Sequence, residues 1–211
     1  MFFNLCGISF LKLTKDEFLN WDNKVITLMG MSGVGKSYLS SQLAEWGWFN
    51  YSCDYLIGTK YLADQVSGDM TADNIQSLSE FVGQIGDPAK GGVGLEEFKR
   101  RQKMYYDAEC AVLKDLPEEF DHAERNMYTS FVNDSSGSMC EVEDAEVLKA
   151  VGEKTLMVYL KVRQEDHADI LGRAIEYPKP LFFPPAFFDE RLARFQSKFD
   201  VGQVEDIDPQ V

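Results

Sequence analysis

The residues with the clearest chemical signal run Gly-Met-Ser-Gly-Val-Gly-Lys-Ser from Gly30 to Ser37. Their spacing, Gly-x-x-x-x-Gly-Lys-Ser, is that of a phosphate-binding P-loop (Walker A motif). In such a loop successive backbone N–H groups surround an anion, and glycines leave room where a Cβ would crowd it. Lys36 is then predicted to lie at the β- and γ-phosphates of ATP, and the Ser37 hydroxyl to bind Mg²⁺. The predicted nucleotide-binding residues are Gly30, Met31, Ser32, Gly33, Val34, Gly35, Lys36, Ser37 and the adjoining Tyr38.

The segments on either side of this motif fit the structure that it requires. Residues 25–29 form a short, apolar, partly β-branched run that predicts a buried strand. Residues 37–46 carry apolar side chains at spacings of four and three, which predicts a helix. A strand, a glycine loop and a helix in this order aim the positive end of the helix at one anion. The alternative is a glycine-rich turn that happens to contain Lys-Ser, and both flanks weigh against it.

Two aspartates follow predicted strands, which is where side chains reach the ligand-binding edge of a parallel sheet. Asp54 comes after the aromatic run 48–51 and is predicted to orient or deprotonate an acceptor hydroxyl. Asp134 follows the strand predicted at 127–132 and is predicted to join Ser37 in a magnesium site. The structural alternatives are a helix N-cap for Asp54 and a turn residue for Asp134.

Basic side chains near the predicted site are candidates for binding anions. Four of them lie in the first half of the helix predicted for residues 95–116: Lys99, Arg100, Arg101 and Lys103. They either pair with acids on the same helix or bind a substrate anion. The glycine-rich stretch 86–94 before them is either a cover for the site or a surface linker. Arg173 and Lys179 lie in the proline-containing loop predicted for residues 173–181. Arg194 lies in the last predicted helix.

The composition limits the partners of the protein. The 211 residues are 45% hydrophobic and carry a formal net charge of −14. These values predict one globular domain, monomeric or dimeric, whose acidic surface repels nucleic acid and anionic membranes. The expected partners are therefore a nucleotide and a small-molecule acceptor. The four cysteines form no Cys-x-x-Cys pair and the N-terminus makes a poor signal peptide, so we expect a cytoplasmic protein.

The predicted elements define the fold class. Strands expected near residues 25, 48, 127 and 156 alternate with helices, which is typical of an α/β protein with a mainly parallel sheet and helices on both faces. We therefore expect the three-layer α/β/α sandwich of a P-loop NTPase, over residues 25–201. An N-terminal arm, 1–24, precedes it, and an acidic tail, 202–211, is expected to fray. The run 155–162 is the clearest buried strand.

With these residues assembled, the chain resembles the shikimate kinase family, within the small P-loop phosphotransferases that also include gluconate kinases. Cys53-Asp54 stands where the family carries an acidic Asp-x-Asp, and 95–101 is similar to its substrate-binding segment. Ser136-Gly137-Ser138 follows the third strand, where the family has glycines. The strand 158–162, then Arg173 and 179–181, is similar to a family strand followed by an arginine-bearing lid. The resemblance implies a nucleoside-monophosphate-kinase-like fold with a lid at about 164–185.

The resemblance implies transfer of the γ-phosphate of ATP to a hydroxyl of a small metabolite, with Mg²⁺. The implied residues are Lys36, Asp54 and Arg173 for catalysis, Lys179 for the nucleotide, and Asp54, Lys99, Arg100, Gly137 and Arg194 for the acceptor. Ser52, Lys99, Ser136, Ser138 and Lys179 depart from the family pattern. Because Lys is a point charge and Arg a bidentate fork, we expect an acceptor other than shikimate. The alternatives are an ATP-binding regulatory module without kinase activity, and a nucleoside or nucleotide kinase.

Overall fold

Four short strands form one parallel sheet at the centre of the structure, a computed structural model that describes residues 13–72 and 74–209. The strands are β1 (Val25–Met29), β2 (Phe49–Ser52), β3 (Phe131–Asp134) and β4 (Leu156–Tyr159). Their order across the sheet is β2-β3-β1-β4, and every pairing is parallel. The prediction of an α/β protein with a parallel sheet is confirmed.

Helices connect and cover these strands. Within the described residues they are α1 (Lys15–Leu19), α2 (Lys36–Glu45), α3 (Cys53–Leu56), α4 (Gln76–Val82), α5 (Leu95–Lys114), α6 (Leu116–Arg125), α7 (Ala145–Lys154), α8 (His167–Glu176) and α9 (Pro185–Phe199). The chain continues from α3 directly into a π-helical turn, Ile57–Tyr61. None of the helices in the described part of the chain is long and apolar enough to span a membrane.

Both faces of β1 are buried, and successive side chains of this strand point to opposite sides of the sheet. Met29 joins a large cluster with residues of α5, α6 and α7, while Ile26 and Leu28 join a smaller one that includes Leu43 of α2. Residues on α1 and just after it, Phe18 and Trp21, pack against the smaller cluster. A strand covered on both faces needs a continuous apolar run, which is what the sequence of β1 provides.

One helix was not predicted, and its presence moves the start of the third strand. The long predicted helix 95–116 ends at Lys114, and α6 begins at once, with Pro117 in its first turn, where a missing N–H costs nothing. After α6 the chain turns at Met127, which is 88% exposed and has a left-handed φ of 64°. The predicted strand 127–132 therefore starts only at Phe131.

Two further predictions about the C-terminal half are wrong. In the run 155–162 the strand itself covers only β4, which lies at the edge of the sheet and whose Tyr159 is 64% exposed, so it is not the most buried strand. The acidic tail does not fray over its described residues, because Val204 and Ile207 are buried and the Asp87 N–H donates to the Ile207 carbonyl at 2.8 Å. Most of the N-terminal arm, residues 1–12, lies outside the described residues.

Candidate functional site

The strand register brings the predicted P-loop and both predicted aspartates to one edge of the sheet. Leu28 of β1 and Ser52 of β2 both lie level with Asp134, the last residue of β3. The P-loop begins two residues beyond Leu28, and Asp54 lies two residues beyond Ser52. The chain leaves β1 towards β2 and leaves β3 towards β4, in opposite directions across the sheet. In open parallel sheets such a reversal at the carboxyl edge is where ligands bind.

The P-loop has the backbone conformation that its glycines allow. Gly30, Gly33 and Gly35 all have positive φ angles, of 147°, 80° and 103°. At Gly30 a Cβ would lie 2.7 Å from the Leu160 carbonyl oxygen, so a side chain is excluded by space as well as by conformation. Because Gly35 directly precedes α2, the loop opens onto the N-terminus of a ten-residue helix, the end that favours anions.

The Lys36 side chain folds back over the loop. Its ammonium donates to the Gly30 carbonyl at 2.9 Å and to the Met31 carbonyl at 3.3 Å, and the residue is 7% exposed. Burial lowers the pKa of Lys36, which the nearby carboxylates of Asp134 and Asp54 partly offset. A buried cation held by neutral carbonyls would gain from an anion placed in the same loop.

Asp134 and the first turn of α2 provide a candidate magnesium site. Ser37 and Ser40 of α2 act to lower the pKa of the Asp134 carboxyl, yet burial still raises it above its ordinary value. Its Oδ1 atom is buried and has no hydrogen-bond partner among the described residues. An unpaired, buried carboxylate oxygen beside a serine hydroxyl fits Mg²⁺, which is often bound by one or two carboxylates together with phosphate oxygens and water.

Asp54 lies across the sheet edge from these groups, in the first turn of α3, and is partly buried. Burial raises its pKa to about 6, and the neighbouring Asp134 carboxylate acts in the same direction. The ammonium of Lys36, the Tyr105 hydroxyl and Lys179 oppose this rise. A carboxyl group with a pKa near the working pH is suited to accept a proton from a bound hydroxyl. The structural alternative, an N-cap, does not apply because Asp54 lies inside α3.

A buried polar cluster next to Asp54 was not predicted from the sequence. Glu109 of α5 is 1% exposed and bonds to the hydroxyls of Ser136 and Ser138. Tyr105, one turn earlier on the same helix, is fully buried and donates to Asp54 Oδ1 at 3.2 Å. The sequence did contain a signal for Glu109, because it is a carboxylate between apolar positions on the buried face of α5.

The segment between α8 and α9, residues 178–184, lies against the site and is called the strap below. Gln102 of α5 holds it at both edges, because its side-chain amide donates to the Leu181 carbonyl at 2.9 Å and accepts from the Phe183 N–H at 2.8 Å. The Leu181 side chain fills the space beside Gly137, where a Cβ would lie 2.7 Å away. Lys179 on the strap lowers the pKa of Asp54 and Asp134, so its charge acts on the predicted site.

Two residues that were predicted to bind the acceptor, Lys99 and Arg100, form ion pairs with acids at the protein surface. Lys99 pairs with Asp189 at 2.9 Å, and Arg100 forms a two-pronged contact with Glu97 at 2.7 and 2.8 Å. The inward face of α5 instead carries Gln102, Tyr105 and Glu109, all buried. These contacts give the predicted binding of an acceptor by Lys99 and Arg100 no support.

The remaining predicted cations lie on exposed helical surfaces. Arg173 of α8 donates to the Asp169 carbonyl one turn before it at 3.4 Å. Ile170, on the same helix, lies close to Gly33, so α8 approaches the glycine loop. Arg194 is exposed on α9, and Tyr38 is 74% exposed at the start of α2. The structure therefore gathers Lys36, Ser37, Asp54, Asp134 and Lys179 and leaves Arg173, Arg194 and Tyr38 outside this group.

Comparison with known proteins leaves the family open. No protein-family profile and no curated protein sequence matches this chain. Among solved structures, a similar chain occurs in a structure described as that of the Pnkp1/Rnl/Hen1 RNA repair complex. The two chains are 14% identical and superpose with a TM-score of 0.34, over 89% of this chain and 48% of the other. The protein thus spans about half the length of that chain, and a likeness this weak carries no argument about fold class or function.

Proposed function

We propose that the protein is an ATP-dependent phosphotransferase of the P-loop kinase type, which moves the γ-phosphate of ATP to a hydroxyl of a small metabolite. The observation that carries the proposal is the meeting, at one sheet edge, of a lysine-bearing glycine loop, a Ser37–Asp134 pair with a spare carboxylate oxygen, and Asp54. A loop alone would serve any nucleotide-binding protein. A second carboxyl group with a raised pKa beside the loop would assist transfer of a phosphoryl group to a hydroxyl, because it can accept the proton of that hydroxyl.

The donor side of the reaction follows from the loop. The N–H groups of the loop and of the start of α2 would bind the phosphates of ATP, and Lys36 would exchange its carbonyl partners for phosphate oxygens. Ser37 and Asp134 would hold Mg²⁺, which when bound neutralises charge on the phosphates. Because phosphoryl transfer needs little covalent help from the protein, positioning and charge account for most of the rate.

The acceptor side is proposed to depend on Asp54. At neutral pH a carboxyl group with a pKa of about 6 is mostly ionised and still basic enough to accept a hydrogen bond, and then a proton, from the attacking hydroxyl. Lys179, and Arg173 after a movement of α8, would supply positive charge to the transferred group. The rival interpretation, an ATP-binding regulatory module, shares the loop and lacks a role for Asp54.

A turnover assay distinguishes these possibilities. The protein is incubated with ATP, Mg²⁺ and a panel of hydroxy acids, sugars, polyols and nucleosides, and ADP release is followed. Release that an acceptor accelerates, with a phosphorylated product found by mass spectrometry, supports the kinase. Acceleration confined to nucleosides would favour a nucleoside kinase. ADP release that no member of the panel accelerates would favour the regulatory module.

The Lys36→Ala variant tests the donor site. The Lys36 ammonium bonds to two carbonyls of the loop and so lies where the phosphates are proposed to bind. Its loss is expected to weaken ATP binding about ten- to a hundredfold and to abolish transfer. Calorimetric titration with ATP·Mg²⁺ measures the affinity, and circular dichroism checks the fold. The matched control is Lys149→Ala on α7, an exposed lysine that pairs with Glu153 alone among the residues that the structure describes. Unchanged ATP affinity in Lys36→Ala would refute the assignment of the loop.

A further inference from the structure

Four polar side chains that the proposed reaction does not use lie buried beside the sheet. They are Thr27 of β1, Cys53 at the start of α3, Asn133 of β3 and Thr155 just before β4. Because side chains alternate along a strand, Asn133 shares a face with Phe131, the face whose apolar cluster includes residues of α5 and α7. Asn133 is 0% exposed there, so an amide group lies entirely within the core.

Asn133 joins these side chains to one another by hydrogen bonds. Its amide oxygen accepts from the Cys53 thiol at 3.1 Å, and its amide nitrogen donates to the Thr27 hydroxyl at 3.2 Å. The Thr155 hydroxyl lies 2.8 Å from the Thr27 hydroxyl and 3.1 Å from the Val151 carbonyl oxygen. One row of side-chain bonds therefore crosses the sheet, from the start of α3 through β3 to the central strand β1 and on to the start of β4.

The bond to Cys53 lies where the backbone pairing of β2 stops. In the described sheet β2 lies at the edge, beside β3, and its last paired residue is Ser52, level with Asp134. Cys53 is the first residue beyond this pairing, and Asp54 follows it directly. The Asn133 amide therefore holds the chain at the point where the sheet no longer does.

The bond to Thr27 leads to the strand that carries the P-loop. Thr27 lies level with Asn133 in β1, which pairs with β3 on one side and β4 on the other, and the loop begins soon after it at Gly30. The Ser135 hydroxyl adds a second tie between the two strands, since it donates to the Leu28 carbonyl at 2.6 Å. The end of β3 and the start of the loop are thus held to each other, and Asn133 extends this hold to the chain before Asp54.

We propose that Asn133 is a positioning residue, whose side-chain amide ties the chain just before Asp54 to the strand that carries the P-loop and thereby sets where the Asp54 carboxyl lies relative to Lys36. The consequence for turnover rests on the proposed kinase function, whereas the tie itself exists without any ligand. Tyr105 donates to the Asp54 carboxyl from α5, while Asn133 holds the backbone that carries it. A misplacement of about 1 Å can slow a reaction about a hundredfold, so such a hold matters for catalysis.

Stability alone does not explain an amide at this position. Burying an amide costs free energy that its hydrogen bonds only offset, and apolar side chains of the same shape can be equally stable. A thiol is also a weak donor, so the bond from Cys53 adds little to the free energy of unfolding. An amide provides what an apolar side chain does not, a directional link to two partners on different segments.

The thiol of Cys53 can report whether the chain before Asp54 is held. It is 1% exposed, so a thiol reagent reaches it only when the structure opens around it. In the ligand-free protein, Asn133→Leu is expected to accelerate the labelling of Cys53 about tenfold more than that of Cys110. Cys110 of α5 is the internal reference, because it is also buried and opening of the whole domain exposes both thiols. Mass spectrometry of peptides assigns the label to each cysteine.

Thr155→Val is the matched control. It removes a buried hydroxyl at the other end of the same row and leaves both bonds of the Asn133 amide in place. It is expected to accelerate the labelling of both cysteines equally, in proportion to the stability that it loses in urea unfolding. Equal acceleration of both cysteines in Asn133→Leu would overturn the proposal, because the amide would then support only the fold as a whole. Asn133→Ala replaces Asn133→Leu if leucine prevents folding.

Kinetics separate this proposal from the proposed function. Cys53→Ser keeps a donor for the Asn133 amide oxygen, whereas Cys53→Ala leaves that oxygen unpaired. With an active acceptor, Cys53→Ala is expected to lower kcat about tenfold with an unchanged KM for ATP, and Cys53→Ser to retain most of the kcat. Equal kcat values in these two variants would also overturn the proposal. If no acceptor gives turnover, the kinase proposal fails, while the labelling rates still decide whether Asn133 holds the chain before Asp54.

Discussion

Asp54 is ionised at a cost, because burial and the Asp134 carboxylate both disfavour its charge. Its pKa of about 6 lies above the ordinary value of 3.8, so the folded protein binds this proton more tightly than the unfolded chain. The contribution of Asp54 to the free energy of unfolding therefore falls as the pH rises from about 4 to 6. The role that we propose for Asp54 and the stability of the fold therefore make opposite demands on this one side chain.

The pH dependence of turnover should follow the ionisation of Asp54. Below pH 6 its carboxyl is mainly protonated and cannot accept a proton, so kcat/KM is expected to fall about tenfold per pH unit and to level off above about pH 7. The profile is measured at saturating ATP, with ATP affinity followed by calorimetry over the same range. An acid limb that persists unchanged in Asp54→Asn would assign the limb to another group.

Asp54→Asn should also change the free energy of unfolding, and the raised pKa of Asp54 determines the sign of this change. The amide cannot ionise, so the variant avoids the cost of a buried charge and is expected to be more stable than the native protein above pH 7, by up to about 3 kcal/mol. At pH 4 the two proteins should differ little. Urea unfolding at both pH values measures the difference. Equal stability at pH 7.5 would contradict a raised pKa for Asp54.

At the scale of elements, α5 connects several parts of the candidate site. Its buried face holds the strap through Gln102, reaches Asp54 through Tyr105 and bonds to the loop after β3 through Glu109. Its exposed face carries Lys103, paired with Asp107, and Arg100, paired with Glu97. The cationic cluster seen in the sequence thus belongs to the solvated face of α5, and the site uses the opposite face.

The contact between α5 and the strap can be tested with Gln102→Leu. Leucine fills the same space but loses the two bonds to Leu181 and Phe183, which is expected to cost about 1–3 kcal/mol of stability. Because Lys179 lies on the strap, the KM for ATP is also expected to rise. The control is Gln76→Leu, since Gln76 is exposed and, among the described residues, its side chain donates a hydrogen bond to Glu80 alone. A loss of stability with an unchanged KM for ATP would show that the strap does not contribute to nucleotide binding.

At the scale of the whole molecule, both ends of the described chain pack onto the domain. The capping box between Thr14 and Glu17 starts α1, from which Phe18 packs beside the sheet. At the other end, residues 203–209 cover the glycine-rich stretch after α4, where the Ile207 carbonyl accepts from Asp87 and Lys90 pairs with Asp208 at 3.2 Å. The stretch 86–94 is therefore held by the tail rather than placed over the P-loop.

Ile207→Ala tests whether the tail is part of the cooperative fold. Ile207 is 6% exposed, so its truncation is expected to lower the free energy of unfolding by about 2 kcal/mol or more. Leu171→Ala is the control, because Leu171 is 59% exposed and should change stability by less than about 0.5 kcal/mol. Both are measured by urea unfolding with two spectroscopic probes. If the Ile207 variant were as stable as the control, the tail would not be part of the cooperative fold.

The sequence by itself determined the local features of this protein. The P-loop and its flanks were predicted because glycine conformation, an apolar run and a helical repeat are set by neighbouring residues. The placement of Asp54 and Asp134 at one edge also followed, because parallel strands end together. Strand ends, the start of β3 and the helix α6 were missed, since they depend on which segments pair across the sheet.

Only the tertiary structure decided which polar groups meet. The sequence could not distinguish Lys99 and Arg100, paired with acids at the surface, from Lys179, whose charge acts on the site. Nor could it give Glu109 its partners, because Ser136 and Ser138 lie more than twenty residues along the chain. Burial and pairing depend on contacts between distant segments, and these two quantities decide the charge of a carboxyl group. The glycine loop and its flanks can therefore be predicted from the sequence, whereas the state of the buried carboxyl groups follows from the fold.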